Sequence, residues 1–422
     1  MAHGSRFIAA CGIVAVWLFA GPAWMAFARE RICLDDGWRF AKGDPPHCPV
    51  RLIYDSWAEK FLSPTSPPPL VVKPWILPTG NEFIHDPARR FKRPAGNPGN
   101  RVEYAQDDFN DHSWRQINLP HDWAISGPFI RADGGGMGRL PTAGVGWYRK
   151  TLDIPATDSG KEIFLDVAGA MSYAVVWLNG QCVGGWPYGY ASWRVDLTPL
   201  VKFGGKNTLA IRLDNPPDSS RWYPGAGIYR NVWLVKTRPI HVGHWGTYLT
   251  TPEVSAKSAT VNLKVTVDND SSSDATVTVA SAIFRLDADG RKAGHPVAII
   301  TPALVRVPSG DNALAAGRAI IVKPRLWGPP PTQVPNRYVA VTTVSQDGKM
   351  MDQYETPFGI RKIECRPTGL FVNGQRIRIQ GVNLHGDYGP LGVAFNRRAA
   401  IKSIGPNVEE PARAAPRHPW DA

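Results

Sequence analysis

Two parts of this sequence gather side chains that could do chemistry. Asn383, His385 and Asp387 follow directly on Ile377-Arg378-Ile379-Gln380-Gly381, which reads as a strand. Arg221 and Tyr223 stand in a loop rich in Ser, Pro and Gly, and loops carry binding residues out of proportion to their length. His385 alone brings neither a positioned nucleophile nor an acid for a leaving group. Glu409 and Glu410 are the tempting carboxylates, but residues adjacent in sequence throw their side chains in different directions. No residue is assigned a catalytic role. Cys33, Cys48, Cys182 and Cys365 are spaced for neither a zinc ribbon nor a redox pair. No metal or cofactor is therefore expected.

Composition narrows the classes further. The 422 residues suit two or three domains, and 43% hydrophobic residues with 16 Trp are ample for buried cores. A net charge of +12 raises the question of nucleic acid. The basic residues are scattered, however, with no basic helix and no run of five like charges, so nucleic acid is excluded as a partner.

The N-terminus carries His3 and Arg6, an apolar run over 7–20 and then Ala26-Phe27-Ala28, the small-x-small form accepted by signal peptidase. Residues 1–28 thus read as an export signal, giving a periplasmic or extracellular protein. The run is shorter than the roughly 20 residues of a spanning helix, and Gly21-Pro22 breaks it, so an uncleaved anchor is the second reading and no membrane association is expected after cleavage. Export permits disulfides, with Cys33 and Cys48 the expected pair and Cys182 and Cys365 expected as buried thiols.

The elements that must position these residues are strands. Short alternating apolar segments bounded by Gly, Pro, Asn and Asp recur before residue 390. Strands at 163–167 and 173–178 lead to Asn179-Gly180, the two positive-φ residues of a tight hairpin, and 208–213 and 228–235 add two more. Residues 29–239 read as a jelly-roll sandwich. Within them, 45–100 is too rich in proline for helix or central strand and reads as an insertion over the surface, anchored by Trp57, Phe61, Trp75 and Phe83. Residues 240–357 match an immunoglobulin-like sandwich in size and strand spacing. Residues 358–422 hold a hairpin tip at 370–375, the strand over 377–381, and a short helix lined by Ala394, Phe395, Ala399, Ile401 and Ile404.

Six motifs in order identify a family. They are Leu119-Pro120-His121-Asp122-Trp123; Gly144-Val145-Gly146-Trp147-Tyr148-Arg149-Lys150; Val176-Trp177-Leu178-Asn179-Gly180; the run from Arg221-Trp222-Tyr223-Pro224-Gly225 to Val232; Phe358-Gly359-Ile360-Arg361; and Gly381-Val382-Asn383-Leu384-His385. Together they resemble the family 2 glycoside hydrolases, most closely the β-galactosidase branch. The resemblance implies a mainly β chain in which a jelly-roll sugar-binding domain and an immunoglobulin-like sandwich precede a TIM barrel, of which only the first β/α unit is visible here. It implies substrate contacts from His385, Asp387 and Asn383 at the barrel mouth and from Arg221 and Tyr223 in a bordering loop. The aromatics of Trp147-Tyr148-Arg149 are expected in the core.

Family catalysis uses two glutamates about 5 Å apart, carried on later barrel strands. After Gly405 the residues run to Pro, Arg and Ala and depart from the family pattern. The expectation is thus a β-galactosidase-like hydrolase truncated before its catalytic pair and inactive alone, with a β-galactoside or related carbohydrate as ligand. The alternative is a non-catalytic carbohydrate-binding or assembly module. Ile377, Ile379, Val382 and Phe395 would lack barrel partners, so local disorder or self-association through this fragment is expected.

Overall fold

Strand-forming alternation dominates the chain from Arg29 onward, and the computed structural model is accordingly mainly β. It describes residues 29–404 apart from 47, 49–51, 54–69, 76–83, 85, 91, 93, 131–138, 218, 219, 221, 380 and 382–384. Trp57, Phe61 and Phe83, and the proposed export signal, lie outside the described residues.

Two antiparallel sheets form the first sandwich. Arg29–Cys33, Val232–Thr237, Glu162–Val167 and Trp193–Asp196 make the four-stranded sheet. The six-stranded sheet runs Arg115–Ile117, Trp38–Lys42, Gly144–Ile154, Gly205–Asn215, Ala174–Leu178, Gln181–Trp186. Alternate residues meet between them: Ile163, Leu165 and Val167 from one side, Tyr148, Leu152, Val176, Leu178 and Ile211 from the other. The turn at Asn179-Gly180 has φ of 52° and 77°, the paired positive angles that a two-residue hairpin of matching twist requires.

Much of the outer face of the six-stranded sheet is also buried. Trp147, Val175, Trp177 and Ala210 point outward, and Leu52, Val72, Val102, Ala105 and Trp114 cover them. Trp147 and Trp177 stack at 5.4 Å, their indole N–H groups donating to Asp44 and to the Pro98 carbonyl. The described parts of the proline-rich stretch run over this face and pack down on it, Leu52, Val72 and the expected anchor Trp75 joining Val102, Ala105 and Trp114 in a third layer. The reason is physical: strand Ala174–Leu178 is apolar on both faces, and a strand of that kind must be covered twice.

Two arginines are buried in this layer. Arg212 donates to Asp44 from Nε and Nη2 (2.8 and 2.7 Å) and to Asp214 from Nη1. Burial alone would raise the Asp44 carboxyl, but the Arg212 and Trp147 bonds outweigh it and hold it below the usual range. Arg149 donates to Asp111 and to the carbonyls of Tyr104 and Gln106, so the cover is pinned by charge-assisted bonds as well as by apolar contact.

Ile240–Val254, Ser258–Asn269 and Asp311–Val322 form one sheet of the second sandwich; Lys292–Val307, Ala275–Leu286, Tyr338–Gln346 and Lys349–Phe358 form the other. Between them lie Val261, Leu263, Val265, Val277, Val279 and Val344. Arg29 binds Asp352 through Nε and Nη2 (3.2 and 2.8 Å), and the fully buried Asp352 also accepts from the Val242 N–H. The first described strand is thereby tied to the last strand of the second sandwich.

Beyond it, Ile363–Arg366, Gly369–Val372 and Gln375–Ile377 make a three-stranded meander, turning at Asn373-Gly374 as the hairpin reading expected. The strand expected over 377–381 ends at Ile377. The helix covers Arg397–Ile404 and begins after Asn396, whose side chain accepts from the Ala399 N–H; an Asn in that place satisfies an orphan donor of the first turn. Ala394 and Phe395 therefore precede it. Cys33 lies opposite Trp233 in the four-stranded sheet and Cys48 packs in the third layer, so no Cys33–Cys48 bridge forms. Cys182 is buried as expected, whereas Cys365 is exposed because its strand is solvated.

Two predictions follow from buried charge. Asp44→Asn removes the main partner of Arg212; with Asp214 retained and Asp44 partly solvated, the loss should be about 2 kcal/mol, below the roughly 3–5 of a fully buried pair, read by urea unfolding. Burial and neighbouring Asp270 raise the Glu162 carboxyl to about 7. A carboxyl raised on folding contributes stability below its unfolded value that is lost as pH rises through the folded one. Glu162→Gln should therefore raise the thermal midpoint by about 1–3 °C at pH 8 and leave it unchanged at pH 4.

Candidate functional site

Asp122 is only 1% exposed and stands where three segments meet. Its Oδ1 accepts from the N–H groups of Ala124 and Ala226, both at 3.0 Å. Its Oδ2 accepts from the Tyr223 hydroxyl at 2.6 Å and from the Val393 N–H at 3.0 Å. Burial raises this carboxyl even though all four bonds oppose the shift. The His121 and Trp123 N–H groups donate to the carbonyls of Ile228 and Ala226, zipping the two loops together on either side of it.

His121 extends the knot into the core. Its Nε2 faces the Arg115 guanidinium at 2.6 Å and its Nδ1 faces the Tyr148 hydroxyl at 2.9 Å. Arginine can only donate, so Nε2 must accept and Nδ1 carries the proton. Burial, reinforced by Arg115, lowers this imidazole to about 4, so it is neutral at pH 7.

The segment 385–395 docks on this knot. Val393 joins the first core, the Phe395 N–H donates to the Tyr229 carbonyl, and the Arg230 guanidinium lies 4.8 Å over the Phe395 ring. The close approach depends on two glycines. A Cβ on Gly225 (φ 64°) would stand 1.9 Å from Val393 Cγ1, and one on Gly392 (φ 55°) 2.3 Å from Asp122 Oδ2. Within this fragment Val393 and Phe395 find partners on the first sandwich, whereas Ile379 is 77% exposed.

Docking brings His385 to Trp222, ring centroids 4.4 Å apart and planes at 34°. Both rings are solvent-facing, Trp222 being 48% exposed. Ser220 Oγ accepts from the Trp222 N–H at 3.3 Å and from the Tyr190 hydroxyl at 3.4 Å, so exposed Tyr190 and its neighbour Tyr188, 5.7 Å apart, extend the same rim. Asp387 is exposed and accepts from the Gly389 N–H at 2.8 Å.

Of the residues singled out in the sequence, His385 and Asp387 are thus brought to the Trp222–Tyr223 loop. Tyr223 lies beneath the rim, only 9% exposed, its hydroxyl committed to Asp122; it positions the loop and presents no hydroxyl at the surface. Arg221 and Asn383 lie outside the described residues. Sequence reasoning missed Trp222, Tyr188 and Tyr190. The signal for the tyrosines was available in Trp186-Pro187-Tyr188-Gly189-Tyr190, an aromatic run broken by residues that favour loops.

Residues 143–230 match the model described as glycosyl hydrolase 2 galactose-binding domain-like, and residues 241–361 match that of glycosyl hydrolases family 2. A β-galactosidase of Bacteroides ovatus is 42% identical over 311 residues, covering 72% of this chain and 35% of that protein. The chain belongs to glycosyl hydrolase family 2. A β-glucuronidase of Bacteroides fragilis is 30% identical over 67% of the chain and 40% of its own length. A family 2 crystal structure from Bacteroides cellulosilyticus superposes with a TM-score of 0.67 at 26% identity, covering 89% of this chain and 41% of that one. The chain spans between 29% and 40% of the length of the curated relatives named first by similarity. Among the described residues no group of His, Cys, Asp and Glu is arranged to hold a metal.

Asp122→Asn would turn an amide toward donors and leave one unpaired. The expected cost is about 2–3 kcal/mol, with faster proteolysis within 385–395; an unchanged cleavage rate there would show that the docking does not depend on this carboxylate.

Proposed function

We propose that this chain supplies the sugar-facing rim of a β-galactoside hydrolase of family 2 and that residues 1–422 alone bind without cleaving. The observation that carries the reading is the exposed Trp222–His385 pair held at the docked segment. A flat indole offers its face to the C–H side of a pyranose, and the neighbouring imidazole and Asp387 can exchange hydrogen bonds with ring hydroxyls. Cleavage with retention requires two carboxyls about 5–5.5 Å apart, one kept protonated as acid and one free to attack. Asp122 is already saturated by four donors, and Asp387 is exposed and turned toward Gly389. Losing covalent and acid–base catalysis removes several orders of magnitude in rate.

A galactoside is preferred over a glucuronide because the β-galactosidase relative is 42% identical and the β-glucuronidase 30%. The second reading, a carbohydrate-binding or assembly module with no link to hydrolysis, rests on the same rim. We also propose export, from the apolar run at 7–20 and Ala26-Phe27-Ala28.

The test is hydrolysis of 4-nitrophenyl β-galactoside by the purified chain beside a full-length family member, with lactose binding followed by tryptophan fluorescence. No turnover is expected, together with binding that weakens about 5–10-fold in Trp222→Ala, as loss of one stacking ring predicts. Robust turnover would overturn the assignment of a non-catalytic rim, and absence of both turnover and binding would remove the sugar-facing role.

A further inference from the structure

A second concave surface lies between the two sandwiches, separate from the Trp222 rim. Two lobes of about 190 and 210 Å³ share Arg31, Asp166, His244 and Trp245 as lining and so form one cleft. The four-stranded sheet provides its floor. Its wall is a deliberate irregularity in Ile240–Val254: Val242 pairs with Val267 but Thr247 pairs with Val265, so the four residues 243–246 stand opposite Thr266 alone. Gly243 and Gly246 permit this, since a Cβ on either would approach Asp268 Oδ2 at 2.7 Å or the Gly243 backbone at 2.9 Å. A bulge of this kind re-aims side chains. Here it lifts Trp245 into solvent, 42% exposed with φ 51°, its ring 4.2 Å from that of His244 with the planes tilted by 32°.

The charges in the cleft do not cancel. Arg194 is held bidentate by Asp166 at 2.6 and 2.9 Å, Arg29 by Asp352, and Glu355 at the rim by Lys292 at 2.7 Å. Arg31 has no ion pair among the described residues. The Cζ atom of its guanidinium lies 3.7 Å from the centroid of the Trp233 ring, and the side chain is exposed. His244 is kept neutral by burial and by Arg194, and its Nε2 has no hydrogen-bond partner among the described residues. The cleft therefore combines a pre-oriented guanidinium fork, a surplus of donors over uncommitted acceptors, and an exposed indole face. A ligand that fits must bring an oxyanion and a ring.

We propose that this cleft binds a carboxylate-bearing saccharide, the uronate carboxyl on Arg31 and a pyranose face on Trp245. A planar fork suits a carboxylate better than a point charge would, and the stacking on Trp233 removes most of the side-chain freedom that binding would otherwise restrict. The site is independent of the galactoside rim and would hold acidic glycan while leaving the rim open.

The experiment titrates the 422-residue chain with digalacturonic acid, β-1,4-galactobiose and sodium acetate, by calorimetry and tryptophan fluorescence at matched ionic strength. Digalacturonate should bind at least about tenfold more tightly than galactobiose, and more weakly at high salt. Arg31→Ala should lower that affinity about tenfold or more, Arg31→Lys should restore part of it, and Trp245→Ala should cost about 5–10-fold. Arg306→Ala, at an exposed pair with Asp274 on the second sandwich, should leave it unchanged. Thermal midpoints verify that each variant folds. Equal affinity for the acidic and neutral disaccharides, no effect of both Arg31→Ala and Trp245→Ala, or acetate competing as well as the sugar would overturn the proposal. Saturating lactose should not displace digalacturonate; displacement would mean a single shared site and would also overturn it, whereas failure of lactose to bind at all bears only on the rim.

Discussion

A buried carboxylate must be surrounded by donors, and Asp122 meets that demand with groups from three separate stretches of chain. Leaving any of its lone pairs unfilled would cost more than a single hydrogen bond returns, because the group has already been taken out of water. The Leu119–Trp123 turn, the Tyr223–Ala226 loop and the 385–395 segment are consequently held as a unit. Gly225 and Gly392 are the steric counterpart of the same constraint, since no side chain fits where these backbones converge. Trp222 and His385 meet at the surface because the layer beneath them is fixed.

The first sandwich is built on a sheet that is covered over much of both faces. Its inner side packs on the four-stranded sheet and its outer side on a layer drawn from residues 44–114. That arrangement forces polar groups inward as well. Arg149 and Arg212 extend from outward positions into a covered space; the covering chain meets Arg149 with Asp111 and two carbonyls and Arg212 with Asp44. Apolar contact makes the cover adhere, while the arginine geometry sets where it lies.

The two concave or exposed surfaces differ in their physics. The rim at Trp222 is aromatic and open, with a histidine and a carboxylate nearby. The cleft at Arg31 lies between sandwiches and is cationic, with its guanidinium oriented by an indole and its wall made by a bulge. Both arise at junctions: the rim where the first sandwich meets the 385–395 segment, the cleft where it meets the second sandwich. Junctions are places where backbone pairing stops and side chains from different elements converge.

Local physics made much of the architecture legible. Alternation located the strands, Asn179-Gly180 and Asn373-Gly374 located hairpins through their positive φ, and six motifs in order identified the family. These are short-range signals, read within ten or so residues. Only the tertiary structure decided that Tyr223 is a buried pin and Trp222 the exposed ring, that proline-rich chain forms a third layer, and that Asp122 binds Val393, 271 residues away. A side chain's type limits the bonds it can make, but which partner satisfies them depends on which distant segments fold against it, and that is settled by packing of the whole chain.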